Sequence, residues 1–264
     1  MNVIGQDKII DFIKSNTVST IPRTLMLEGE FGSGKHSICK VMSEIYSIDI
    51  EDISNQLTFE KIEEIMLTVS PKIYIINSSN ITIKNENAIL KFLEEPLKNA
   101  IIVLLTENKY SLLDTIRNRC YVLTLEKYSK DMLRTFITNN EDEELYLKIC
   151  KTPGDVLSLQ ENSLKSMLAL CHKIFTSIDR ATYANTLSIS NKMAFKNEKD
   201  RFNFILFFKL LDITAFERVL QNQPNCIIEY NLTHQYLNRL NIKNIDKKML
   251  FENYLLKLKQ LRRS

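Results

Sequence analysis

Gly29-Glu30-Phe31-Gly32-Ser33-Gly34-Lys35-His36 has the spacing of a phosphate-binding loop, G-x-x-x-x-G-K plus one further position. Glycines there let backbone N–H groups approach phosphate oxygens, and a helix opening just after them points its dipole at the same anion. Lys35 adds a point charge for the outer phosphates. The last position departs from the pattern. His36 stands where a serine or threonine hydroxyl would hold magnesium, and Ser37, one residue on, is turned about 100° around the helix. Hydrolysis also needs a carboxylate at the end of a neighbouring strand. The matching segment ends Ile75-Ile76-Asn77-Ser78-Ser79, which offers a neutral amide. These residues predict a degenerate nucleotide site without catalysis of its own, which either still takes ATP or ADP without well-held magnesium or is a relic turn whose glycines now serve only the fold.

The surrounding pattern supplies the elements such a loop requires. Thr24 to Glu28 is a short apolar run before the glycines, and a helical pattern follows from Lys35 to Ile45 with Ile38, Val41, Met42 and Ile45 on one face. Phe59, Ile62, Ile65 and Met66 make a second amphipathic stripe. Lys72–Ile76, Ile101–Thr106 and Tyr121–Leu125 read as buried parallel strands, and a helix from Asn85 to Glu95 stops at Pro96. Strand and helix in alternation predict an α/β domain with a parallel sheet. Helices are expected at Tyr128 to Asn139 and Glu143 to Cys150, then after the turn Thr152-Pro153-Gly154-Asp155 and almost to the C-terminus. The expected fold class is α/β plus all-α: residues 1–126 as the phosphate-loop domain, 127–162 as a small helical domain, and 163–264 as a helical domain.

Bulk composition narrows the function classes. The 264 residues carry 35 Lys+Arg against 32 Asp+Glu, a net charge of +3 that does not by itself imply nucleic-acid binding. No apolar run is long enough to span a membrane, and the N-terminus lacks the layout of a secretory signal. Five scattered cysteines without a CxxC fit a reducing cytoplasm and imply no metal. Only five glycines occur, and three of them are in the phosphate loop.

Several motifs, in order, resemble one family. Val3-Ile4-Gly5-Gln6, the phosphate loop and Asn87-Ala88-Ile89-Leu90-Lys91-Phe92-Leu93-Glu94-Glu95-Pro96 are similar to the AAA+ clamp-loader subunits of bacterial replicative polymerases. Asn118-Arg119-Cys120 looks like the family's SRC motif with asparagine for serine, and Thr152 to Leu159 resembles the start of its lid helix. The motifs cover about residues 3–160, and the tail fits the family's collar domain by length and class. Residues 40–72 hold no cysteine, so the zinc module of some members is absent, and Leu157 stands near the place of a sensor arginine.

The resemblance implies a subunit of a hetero-oligomer with other clamp-loader subunits, acting through the complex on a sliding clamp and primer-template DNA. It implies Arg119 as an arginine finger for a neighbour's ATP, with Arg117 the weaker candidate; an ordinary surface ion pair is the competing reading. Thr106, at a strand end, matches a sensor position or simply caps the next turn. Glu94 and Glu95 read as an exposed helix end or subunit contact, and Lys91 is spaced to pair with Glu95. Lys257 to Arg263 reads as a solvated basic helix end, or as a contact for DNA phosphates. His172 and His234 lack partners at ligand spacing. The rival reading of the whole is an AAA+ ATPase active in its own right, and a weaker third is a stand-alone interaction module.

Overall fold

The computed structural model describes residues 3–67, 70–94, 100–138, 142–161, 164–191, 198–223, 225–240 and 245–263. Glu95, Pro96 and the side chains of Asn87 and Arg263 lie outside them, and with them the expected Lys91–Glu95 pair. The chain divides into two compact units, residues 1–138 with 151–154 and residues 139–150 with 155–264.

The first unit is built on strands β1 Thr24–Glu28, β2 Asp49–Asp52, β3 Lys72–Asn77, β4 Ala100–Thr106 and β5 Tyr121–Thr124. They form one parallel sheet in the order β2-β3-β4-β1-β5. Its helices are α1 Asp7–Ser15, α2 Lys35–Tyr46, α3 Phe59–Met66, α4 Ile83–Glu94, α5 Asp114–Arg117 and α6 Lys130–Arg134. Successive side chains of a strand face opposite ways, so apolar runs feed two cores. Leu25, Leu27, Ile73 and Val103 pack with Ile9 and Ile13 of α1 and Ile38 and Met42 of α2. Met26, Tyr74, Ile102 and Leu104 pack with Ile62 and Ile65 of α3 and Ile89 and Phe92 of α4. The helix expected over 128–139 is shorter: Ser129 accepts from the Met132 amide at 3.2 Å and α6 ends at Arg134.

Gln6 closes the N-terminal segment onto the end of β5. Its amide donates to the Glu126 carbonyl at 2.9 Å and accepts from the Glu126 N–H at 2.8 Å, and the side chain is fully buried. Gln6→Ala leaves both groups without that partner. It is expected to lower unfolding free energy by about 1–3 kcal/mol in urea titration, and an unchanged midpoint would contradict the clamp.

Edge strand β2 is polar, Asp49-Ile50-Glu51-Asp52, pairs with β3 along its length, and carries charge contacts at Glu51. The Lys72 ammonium donates to Glu51 at 2.9 Å and Lys61 approaches it at 3.3 Å. The Lys72 hydrogen bond outweighs burial and, with Lys61, holds the Glu51 carboxyl below its usual value of 4.5. The folded pKa is depressed, so this stabilisation is present above that value and is lost as pH falls through the folded pKa. The thermal midpoint is therefore expected to drop on acidification below pH 4.5, and Glu51→Gln should flatten part of that dependence.

The second unit contains α7 Glu143–Ile149, most of α8 Pro153–Glu161, and α9 Leu164–Ser177, α10 Tyr183–Asn191, α11 Glu198–Leu220, α12 Cys226–Arg239 and α13 Lys247–Arg263. Phe204, Phe207 and Phe208 of α11 meet Phe251 of α13 edge to face at 5.4–5.9 Å. The solvated reading of the basic C-terminal helix is corrected at Lys259 and Arg262, while Lys257 and Gln260 are exposed. Lys259 is fully buried and donates to the Ile178 carbonyl at 2.8 Å and to that of Ala181, just past the end of α9. Arg262 donates to Glu229 at 2.5 Å, and Arg218 approaches the other oxygen of that buried carboxylate at 3.3 Å. The heads of these residues find internal acceptors, and Lys259 also lies over the ring of Tyr183 at 5.4 Å.

Cys39, Cys150, Cys171 and Cys226 are buried and every cysteine is free. Burial pushes the thiols of Cys39, Cys120 and Cys150 up to about 12, which leaves them protonated and unreactive at neutral pH.

Candidate functional site

The phosphate loop leaves the C-terminal end of β1, which lies between β4 and β5. The Gly29 amide donates to the Thr106 carbonyl at 3.0 Å, which joins the loop to the end of β4. Gly34 has φ 95°, in the left-handed region open to glycine, and from there the chain enters α2. At the loop base Glu28 accepts from the Lys109 amide at 3.1 Å and the Thr124 hydroxyl at 2.9 Å. Burial pushes the Glu28 carboxyl up, but those bonds and the Lys109 ammonium prevail and hold it below its usual range.

Lys35 folds back on its own loop. Its ammonium donates to the carbonyls of Gly29 at 2.5 Å and Glu30 at 2.9 Å. Ser33 is buried and its hydroxyl has no hydrogen-bond partner, while its carbonyl accepts from the Tyr128 hydroxyl at 2.8 Å. The turn at Thr152 sits directly on the loop. The Gly154 amide donates to the Gly32 carbonyl at 3.0 Å, and a Cβ on Gly154 would lie 2.5 Å from the Gly32 Cα. Only glycine at both positions permits that approach.

The magnesium side is different. His36 is exposed with Nε2 3.7 Å from Asp52, and Ser37 is half-buried on the first turn of α2. At the end of β3 the Asn77 carboxamide accepts from the Ser79 amide at 3.2 Å, and the Asn77 N–H donates to Ser54 at 2.8 Å. Thr106 is buried, and its hydroxyl donates to the Asn108 carbonyl at 3.0 Å and accepts from the Asn108 amide at 3.2 Å, an engagement with its own turn. The loop thus has left-handed backbone at Gly32 and Gly34 and an orphaned hydroxyl at Ser33. The donor set does not fit a magnesium-assisted hydrolytic centre, because His36 brings a ring nitrogen where a hydroxyl would stand and Asn77 a neutral carboxamide where a carboxylate would. Among the described residues no group of three or more His, Cys, Asp and Glu is arranged to hold a metal. His234 pairs with Asp212 at 3.3 Å.

Gly29, Gly32, Gly34, Lys35, His36, Ser37, Asn77 and Thr106 therefore gather at the C-terminal edge of the sheet. Arg119 does not join them. It precedes β5, Tyr121 pairs with Leu25 near the start of β1, and the Thr24 hydroxyl donates to the Arg119 carbonyl. Four strand rises, roughly 13 Å, separate that edge from the end of β1. Arg119 is exposed and pairs with Glu94. Arg117 is taken up by Asp114 at 2.6 Å and by the ring of Tyr110. Leu157, in the second unit, is exposed. Sequence reasoning missed the contacts of Glu28, Tyr128 and Glu94 with these elements, since spacing carries no signal for partners so far apart in the chain.

The parallel sheet, the glycine loop after β1 and the helical C-terminal region give an α/β plus all-α fold. Residues 30–129 match the family model described as DNA polymerase III, delta subunit. Over 80 residues the chain is 38% identical to DNA polymerase III subunit delta' of Bacillus subtilis (strain 168), covering 30% of this chain and 24% of that protein. The match thus spans about a quarter of the relative's length. The fold is similar to a DNA polymerase III gamma subunit-related protein of Thermotoga maritima, with TM-score 0.57 and 17% identity over 98% of this chain and all of that one. It is also similar to the Thermotoga maritima RuvB Holliday junction branch migration motor, with TM-score 0.50 and 15% identity over 63% of this chain and 64% of that one. Over residues 30–129 the chain is thus similar to DNA polymerase III delta-type subunits, and over its whole length the likeness is one of fold.

Proposed function

We propose that this chain is a delta-prime-like stator of a clamp-loading complex, one that lends an arginine to a neighbour's ATP and does not hydrolyse ATP itself. The observation that carries this is the position of Arg119, exposed at the sheet edge opposite the chain's own phosphate loop. From there it is out of reach of its own nucleotide site and available to another subunit. A guanidinium placed against a γ-phosphate stabilises the charge that develops during phosphoryl transfer. Residues 127–162 would serve as the lid and 163–264 as the collar, with the complex acting in the cytoplasm on a sliding clamp and primer-template DNA.

Loss of the chain's own activity is supported by His36 and Asn77, by the Lys35 ammonium spent on loop carbonyls, and by the Gly154 turn hydrogen-bonded to Gly32. The retained Gly34 and Lys35 favour the second reading, a working ATPase. The purified chain is expected to show no ATP turnover above background and no change on Lys35→Ala. Turnover that Lys35→Ala abolishes would select the second reading.

A further inference from the structure

Arg119 is anchored through its backbone and tethered through its side chain. Its amide donates to the Ile116 carbonyl at 3.1 Å and its carbonyl accepts from Thr24, which together set where the residue projects from the sheet edge. The guanidinium donates to the Thr115 carbonyl at 2.7 Å and to the carboxylate of Glu94. Glu94 is the last residue of α4, where the helix dipole disfavours a negative charge and a guanidinium relieves it. The two side chains are 35% and 50% exposed. A pair so wet is weak and readily exchanged, whereas a phosphate offers the guanidinium more charge and a matching two-point geometry.

On the arginine-finger reading above, we propose that Glu94 is a positioning residue that parks Arg119 inside its own subunit, with the γ-phosphate of a neighbouring subunit's nucleotide as the competing partner. Seating the finger then requires breaking the Glu94 pair, and each resting complex carries that small barrier. The carboxylate is the operative group: it keeps the finger off the neighbour's phosphate until the subunits close, and it touches neither substrate nor nucleotide.

The test uses the assembled complex with its ATP-hydrolysing subunits, measuring turnover without DNA for wild type, Glu94→Gln, Glu94→Asp, Arg119→Ala and the Glu94→Gln/Arg119→Ala double variant. Glu94→Gln is expected to raise turnover about two- to five-fold, the range that an exposed pair allows. Glu94→Asp should stay near wild type, and the double variant should match Arg119→Ala, since the effect runs through the arginine. If Arg119→Ala lowers turnover while Glu94→Gln leaves it unchanged or lowers it, the parked state is overturned and the finger stands. A rise that persists in the Arg119→Ala background also overturns it. If Arg119→Ala has no effect, the finger reading fails and the parked state fails with it.

Discussion

Arg119→Ala is expected to lower ATP turnover at the neighbouring site by about 1,000-fold or more, the range in which arginine fingers act. The loss should fall on kcat, with little change in ATP affinity, because the guanidinium meets charge that develops only in the transition state. Arg119→Lys should recover little, since an ammonium is a compact point charge that cannot reproduce the planar two-point contact. The chain itself should unfold at nearly the wild-type denaturant concentration, because the Glu94 pair is exposed and such pairs contribute about 0–1 kcal/mol. That separates loss of the finger from loss of the fold. Full turnover in the Arg119→Ala complex would reduce the residue to a surface ion pair.

The largest stability effect is expected at Glu229→Ala. The carboxylate is buried between Arg218 and Arg262, whose side chains are 14% and 13% exposed. Without it, two guanidinium groups face one another in a poorly hydrated site, and the loss is expected to be about 3–5 kcal/mol. Arg218 also lies over the ring of Phe175 at 5.4 Å, so it has little freedom to swing out into water. Replacing all three residues by apolar side chains of similar volume should restore much of the loss, because the charges then no longer need one another. Urea unfolding of the single and triple variants tests this; a Glu229→Ala midpoint equal to wild type would mean that solvent reaches the site.

Much of the first unit is written in short-range pattern. Strands β1, β3, β4 and β5 are apolar runs bounded by polar residues, and their observed limits agree with the sequence reading within one residue. The phosphate loop is legible because its constraint is local, a backbone conformation that needs glycine at fixed spacing. β2 was not legible: Asp49, Glu51 and Asp52 give no hydrophobic signal, and the strand is held by its pairing to β3 and by Ile50 against the core, with Lys72 and Lys61 on Glu51 beside them. α1 was overlooked although Ile9 and Ile13 are spaced as one helical face. Lys259 was misread because its charge outweighed its position. It lies four residues after Leu255 and eight after Phe251, on the buried stripe of α13, and periodicity alone would have placed it inside. The links of Gly154 to Gly32 and of Arg119 to Glu94 join distant stretches of chain, and nothing in either stretch names the other.

The place of β1 between β4 and β5 sets a timetable for synthesis. Leu25, Met26 and Leu27 leave the ribosome early, yet the neighbours of this strand, near Ile102 and Tyr121, come much later. At about 5–20 residues per second, roughly 100 residues of delay means ~5–20 s during which this strand has two open edges, although α1 and α2 can already cover the face of Leu25 and Leu27. β2 and β3 can pair with each other sooner, but neither is hydrogen-bonded to β1. The nascent chain is therefore most prone to aggregate before Tyr121 emerges, and its need for chaperones should end abruptly once β5 and the Gln6 clamp at Glu126 are complete.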